Sequence, residues 1–230
     1  MLGIGRAGGL GAATAILVGL AAATLSPLPA GAANLVYGNE PRSSDLGRFT
    51  RWVDALNKHV ADMTAAPARC QAGDQAYCFL VNYDNYLDGL RSATPGQQIA
   101  AVNRFVNQIG YVEDRNNYGV ADYWASPLEF FRNAGDCEDF AIAKYVAFRR
   151  LGYSDDQVRV WVVRDQQRAV DHAVLTVATG GRTYLLDSLT DQVLDAQEVS
   201  RYQPIYSINA SAWWLHDMDL ARQVVAAGAR

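Results

Sequence analysis

Residues that perform most covalent and metal chemistry are scarce in this chain: its 230 residues hold only three cysteines and three histidines. Basic residues are not in excess either, with 20 Lys and Arg against 24 Asp and Glu and a formal charge of −4. An acidic chain lacks the electrostatic footprint of a nucleic-acid or anionic-lipid binder, so no nucleic-acid partner is expected. No repeat or low-complexity segment interrupts it. With half the residues hydrophobic and 19% charged, the composition is that of one globular domain with a proper core rather than a disordered or fibrous chain.

The long apolar run is confined to the N-terminus. Arg6 is the sole charge there, a Gly/Ala/Leu stretch follows from Gly8 to Leu25, and Ser26-Pro27-Leu28-Pro29 breaks any helix before the small residues Ala30-Gly31-Ala32. Residues 1–32 read as a secretory signal peptide, leaving 33–230 as the mature domain. The alternative is an uncleaved membrane anchor, but a run so rich in Gly and Ala is only marginally apolar for a span of about 20 residues. Removing the segment takes away one Arg and no acid, so −4 becomes −5.

An odd cysteine count in an exported protein leaves at least one thiol to explain. Cys70 and Cys78 lie close together in a region containing Pro67 and Gly73, where an oxidising compartment would let them close a small disulfide loop. Cys137 is then the free thiol. The other possibility is that all three are reduced, buried and inert.

After a linker, Asn34–Ser44, helical spacing of Phe49, Trp52, Val53, Leu56 and Val60 predicts a helix over about 46–63 with Asp45 as N-cap. Further helices are expected near 83–90 and over 96–108. A polar, turn-rich stretch runs through Asp114, Asn116 and Asn117. The strongest helix is 137–151, with Gly135-Asp136 as its lead-in turn, Asp136 as N-cap and Gly152 as its stop. The pattern then switches to strands, 158–163 and 172–177, the latter joined to 183–186 through the hairpin signal Thr179-Gly180-Gly181-Arg182. N-terminal helices followed by an antiparallel sheet make the class α+β.

A thiol attacks carbonyl carbon as thiolate, and with an ordinary pKa near 8.5 only about 3% is ionised at pH 7. The first turn of a helix favours the anion, and Cys137 stands there. A neighbouring histidine takes the proton, and a carboxylate behind it fixes its tautomer. His172 opens one expected strand and Asp187 closes the next, which brings the two within side-chain reach near the open end of the hairpin. His59 falls on the polar side of the first helix and His216 in a Trp-rich tail, so both are poorer candidates. Tyr123 and Trp124, before Pro127, read as core packing more than as cleft wall, and Trp213 and Trp214 as structural. The Cys137 N–H is the default donor to an oxyanion.

The runs Asp122-Tyr123-Trp124-Ala125-Ser126-Pro127-Leu128-Glu129 and Gly135-Asp136-Cys137-Glu138-Asp139-Phe140-Ala141-Ile142-Ala143-Lys144-Tyr145 resemble the bacterial transglutaminase-like cysteine proteinases, periplasmic proteases of the LapG type. His172-Ala173-Val174-Leu175, Leu185-Leu186-Asp187-Ser188-Leu189 and Pro204-Ile205-Tyr206-Ser207-Ile208-Asn209 also look like that family, in the same order. The resemblance covers nearly all the mature chain, and its Gly-Asp-Cys-Glu-Asp block is the most specific part. It implies a papain-like, transglutaminase-like core with the catalytic Cys at a helix N-terminus. It further implies a cysteine peptidase with Cys137 as nucleophile, His172 as general base then acid, and Asp187 as orienting carboxylate. The substrate implied is a large surface adhesin, cut near an Ala-Ala pair, and the regulator an inner-membrane receptor for cyclic di-GMP that governs biofilm release. The Cys70/Cys78 insertion departs from the best-known members.

Asp136, Glu138 and Asp139 crowd negative charge around Cys137, which disfavours the thiolate. A bound calcium ion, with six to eight oxygen ligands, would relieve this, and Asp114, Asn116 and Asn117 could add oxygens. The resemblance implies calcium dependence, with Asp136, Glu138 and Asp139 at the matching positions. Otherwise Asp136 caps the helix and the other acids complement its dipole. Two further readings stay open: a transglutaminase-like acyltransferase, which uses the same three groups but passes the acyl group to an amine, and a non-catalytic calcium-binding adaptor.

Overall fold

The first helix begins later and runs longer than its apolar spacing suggests. In the computed structural model, which describes Leu35, Gly38, residues 40–217 and Asp219, helix α1 spans Thr50–Gln71. The expected signal peptide, 1–32, lies outside the described residues. Asp45 does not cap α1: its carboxylate accepts instead from the Gly47 N–H at 2.9 Å, a local turn, and the helix starts after Phe49 without a side-chain cap. Pro67 sits inside the helix without ending it. Gly73, at φ 85°, makes the turn into α2, Gln75–Leu90, whose N-cap Asp74 accepts from the Ala76 N–H. The Cys70–Cys78 disulfide therefore staples the end of α1 to the start of α2, and Cys137 is left free.

Helix α3, Pro95–Val106, follows a capping box of Thr94 and Gln97. A single turn, α4, covers Asp114–Asn117. Helix α5, Pro127–Asn133, is opened by a second capping box, Ser126 with Glu129. Each box leaves the proline at the first helical position, where its missing N–H costs nothing. Helix α6, Cys137–Leu151, ends at Gly152, which adopts the left-handed conformation at φ 98°. None of the helices among the described residues is long and apolar enough to cross a membrane.

Seven strands follow the α+β expectation: β1 (Arg42–Ser43), β2 (Val158–Asp165), β3 (Val170–Thr179), β4 (Arg182–Asp187), β5 (Thr190–Asp195), β6 (Tyr202–Ile208) and β7 (Trp213–Leu215). They form one antiparallel sheet in the order β1-β7-β6-β2-β3-β4-β5. The segment read as a linker is not one, since β1 pairs with Trp213 and Trp214 and Leu35 is fully buried against the sheet. Gly180 and Gly181, both at positive φ, make the tight β3–β4 turn, as a two-residue hairpin of this twist requires.

Both faces of the central strands are covered. Val160, Leu175, Val177 and Leu186 meet Phe140, Ala143, Ala147 and Phe148 of α6 on one side, while Trp161, Val163, Val174 and Leu185 meet Ala196 and Tyr202 on the other. Burial on two faces explains why β2 reads as a nearly continuous apolar run instead of alternating. Phe148 is fully buried at this interface, where truncation to Ala would cost about 3–5 kcal/mol. That packing fixes α6, and so the position of its first residue.

Candidate active site

Cys137 owes its place to three backbone features just upstream. A Cβ at Gly135 would lie 2.1 Å from Asp139 Oδ2, so only glycine lets that carboxylate fold back onto the chain. The same oxygen accepts from the Asp136 N–H at 3.2 Å, and Asp139 Oδ1 accepts from the Ala125 N–H at 2.7 Å. Asp136 holds the N-cap position, as expected, in a capping box with Asp139. Ala134 carries φ 62° and ψ −168°, a region nearly reserved for glycine that costs on the order of 1–3 kcal/mol. It is held there by Asn117 Nδ2 donating to the Ala134 carbonyl at 3.2 Å and by Val112 N donating to that of Gly135 at 2.9 Å.

The strand partners arrive from the β3–β4 hairpin. Leu175 pairs with Leu186, so His172 and Asp187 stand on the diagonal of that register, not squarely opposite. His172 Nε2 and Asp187 Oδ1 are 2.8 Å apart, and both side chains are almost fully buried. Asp187 Oδ1 also accepts from the Leu189 N–H at 3.1 Å, and Oδ2 from the Tyr202 hydroxyl and from Arg201 Nη2 at 3.2 Å. Burial pushes this carboxyl up, but the bond and charge of His172, the Tyr202 hydroxyl and the Leu189 amide outweigh it and bring its pKa down to about 2. Asn107 Nδ2 donates to the main-chain carbonyls of Asp187 and Thr190, and Asn103 Nδ2 to that of Thr190. Arg201, Tyr202, Asn103 and Asn107 escaped the sequence reading, because nothing in the chain marks residues so far apart as neighbours.

An ionised carboxylate only accepts hydrogen bonds, so Nε2 of His172 must carry a proton and Nδ1 is the basic atom of the neutral ring. Cys137 and His172 line one cleft of about 530 Å³. Ala173, the residue after His172, lines the cleft beside the sulfur, its amide working to lower the thiol's pKa, and the thiol donates to Glu138 Oε2 at 3.2 Å. Trp124 is both wall and packing: it lines the cleft, meets Trp52 edge-on at 6.3 Å and donates from Nε1 to Asp122 Oδ1 at 2.9 Å. Tyr123 is held by Lys58 and Glu129 outside the cleft lining. A second cavity of about 440 Å³ between α1, α2 and α6 is largely apolar and is lined by no cysteine.

The acids around Cys137 assemble more tightly than their order in the chain suggests. Oxygens of Asp114, Asp136 and Asp139 lie within 4.8 Å of one another, as do those of Asp114, Asp122 and Glu138. Asp114 Oδ1 and Asp136 Oδ1 are buried without a hydrogen-bond partner. Burial, followed by neighbouring carboxylates, raises Asp114 to about 6 and Asp139 to about 8 and lifts Asp136 and Glu138 as well. Burial and the charges of Glu138 and Asp136 push the Cys137 thiol well up, against the helix-start effect expected from its position. Orphaned carboxylate oxygens in an all-oxygen cluster suit a hard dication. Of the loop residues considered as ligands, Asp114 joins this cluster, Asn116 is exposed, and Asn117 donates its NH₂ to the Ala134 carbonyl. Asp122 is an addition.

Among known proteins, the sequence profile of the bacterial transglutaminase-like cysteine proteinases matches residues 70–218. Solved structures of Legionella pneumophila LapG are similar. The calcium-bound form is 36% identical over 57% of this chain and 74% of that one, with a TM-score of 0.52. The EGTA-treated form is 30% identical over 68% and 86%, with a TM-score of 0.59. A third LapG structure is 29% identical over 74% and 96%, also at 0.59. No curated protein sequence matches.

Proposed function

Since the chain belongs to the bacterial transglutaminase-like cysteine proteinases and is a cysteine peptidase, we propose that Cys137, His172 and Asp187 form its catalytic triad. In this reading it is an exported, periplasmic, calcium-dependent endopeptidase acting on a bacterial surface protein such as a large adhesin. The observation that carries the triad is the 2.8 Å bond between His172 and Asp187, placed in the wall of the cleft that holds Cys137 at the start of α6. His172 Nδ1 takes the thiol proton. The sulfur then attacks the scissile carbonyl carbon, and the imidazolium formed returns its proton to the leaving amine. Water, deprotonated by the same Nδ1, hydrolyses the thioester. Asp187, fixed by Tyr202 and Arg201, keeps the ring in the tautomer these steps need.

Asp114, Asp136, Glu138 and Asp139 are the residues that would hold calcium. Bound there, the ion would neutralise the charge that now holds the thiol protonated and would tie the α4 turn to the head of α6. Support comes from the orphaned oxygens of Asp114 and Asp136 and from the calcium-bound state of the similar LapG. An inner-membrane cyclic di-GMP receptor is the regulator proposed. Incubating the mature chain with candidate surface adhesins, with and without chelator, and reading new termini by mass spectrometry tests the whole. Calcium-dependent cleavage, absent in Cys137→Ala, is expected. Cleavage that survives Cys137→Ala refutes the triad, and acyl transfer to added amines in place of hydrolysis makes the chain a transglutaminase-like acyltransferase.

A further inference from the structure

Tyr206 lies in the lining of the Cys137 cleft and no step above uses it. Its position follows from register: Ala173 of β3 pairs with Val162 of β2, and Val162 with Tyr206 of β6, so the three form one row across adjacent strands. Directly paired residues share a face, and Ala173 and Val162 lie on the α6 side. At one end of this row Ala173 lines the cleft together with Cys137. At the other, the Tyr206 ring is braced by Phe49 at 5.2 Å and packed with Trp124.

The side chain is 9% exposed. Its hydroxyl makes no hydrogen bond among the described residues, whereas that of Tyr202, behind His172, is paired; Tyr111, the other phenol in the cleft lining, is exposed to solvent. It is also absent from the buried orphan atoms, so it opens to the cleft rather than into the core. Burial first, and then the charges of Asp122 and Glu138, raise its pKa, so it remains a donor throughout the neutral range. A buried phenol in a cleft, with its polar tip open and unclaimed, lacks a partner that the substrate would bring.

Resting on the triad reading, we propose that the Tyr206 hydroxyl is a catalytic oxyanion donor, acting with the Cys137 N–H on the carbonyl oxygen of the scissile bond. When the sulfur–carbon bond forms, the carbonyl π pair moves onto oxygen and is met by the Tyr206 O–H, which keeps its proton. When the pair returns to re-form the carbonyl, the carbon–nitrogen bond breaks and the amine leaves with the proton from His172. A donor preorganised for the oxyanion acts mainly on the transition state.

Tyr206→Phe removes the hydroxyl and leaves the packed ring. Two reactions of the calcium-loaded protein separate its roles. Acylation of Cys137 by p-nitrophenyl acetate passes through an oxyanion. Alkylation by chloroacetamide forms a sulfur–carbon bond as chloride departs and has no oxyanion. Acylation should fall about 100-fold, the size of one lost oxyanion donor, with alkylation essentially unchanged. Equal losses in both reactions would make Tyr206 a support for the thiol, and unchanged acylation would leave it no role; either overturns the inference while the triad stands. A wild-type chain acylated no faster than Cys137→Ala overturns the triad reading, and this inference with it.

Discussion

Replacing Asp187 with Asn leaves shape almost unchanged but inverts the hydrogen-bond logic behind His172. The carboxylate accepts from His172 and the Leu189 amide on one oxygen and from Tyr202 and Arg201 on the other. Asn offers one accepting oxygen and one donating NH₂, and Arg201 can only donate. A donor-only group stands on each side, but Arg201 is charged and the Leu189 amide is not, so the amide oxygen turns to Arg201, the Leu189 N–H loses its acceptor and the NH₂ faces His172. Nε2 then has to accept, the proton moves to Nδ1, and the base on the thiol side is lost. A tautomer error of this kind lowers kcat by about 10⁴. Stability falls too: a pKa brought from 3.8 to about 2 corresponds to about 2 kcal/mol at roughly 1.4 kcal/mol per unit. Because the folded-state pKa is depressed, this contribution is present above pH 4 and is lost as pH falls toward 2. Histidine ¹⁵N resonances report the tautomer, ester acylation reports the rate, and urea unfolding of both proteins between pH 2 and 7 reports the stability. A variant of full activity, or one whose His172 still carries its proton on Nε2, refutes the reasoning.

Calcium at a hundredfold excess over its dissociation constant should add about 2.7 kcal/mol and raise the melting temperature by several degrees. Magnesium, with its tighter shell and retained waters, should do much less, and Asp114→Asn or Asp136→Asn should blunt the calcium response in calorimetry. Identical melting with calcium and chelator would rule out the metal site. Ala134→Gly should stabilise the chain by about 1 kcal/mol, since relief of the positive-φ strain exceeds the added unfolded-state entropy, and a lower urea midpoint would show that Ala134 is not strained.

The sequence discloses what is local. Helix α6 is legible from apolar spacing and its Gly152 stop, and the hairpin from Gly180-Gly181, so the places of Cys137 and the His172–Asp187 pair follow with little tertiary knowledge. Strand β6 hides because Pro204 speaks against a strand; it is tolerated at the register shift where Val163 and Pro204 pair, as prolines in sheets usually are. Strand β5 hides because it is a half-polar edge. Asp45 looks like a cap by type, yet its carboxylate finds Gly47 first. Asp114 could be suspected near the acids, but its burial against Asp136 and Asp139 depends on how the α4 turn lies on α6, and Arg201 reaches Asp187 only through tertiary folding. Spacing along the chain carries no record of such contacts.

Asp139 spends its two oxygens on Ala125 and on Asp136, the residues on either side of α5. One carboxylate thus pins both feet of an arch whose span is residues 126–135. Within an arch so anchored, a longer span carries only a logarithmic entropy penalty, about 0.6 kcal/mol for each doubling of length. Length can therefore vary at the exposed Arg132 and Asn133 while the thiol remains at its post, whereas Leu128 and Phe130 are buried and Gly135 admits no side chain. Removing the pin has the opposite effect. With Asp139 gone, α5 keeps its buried Leu128 and Phe130 but loses the tie between its two ends, and Asp136, next to Cys137, loses the acceptor of its N–H.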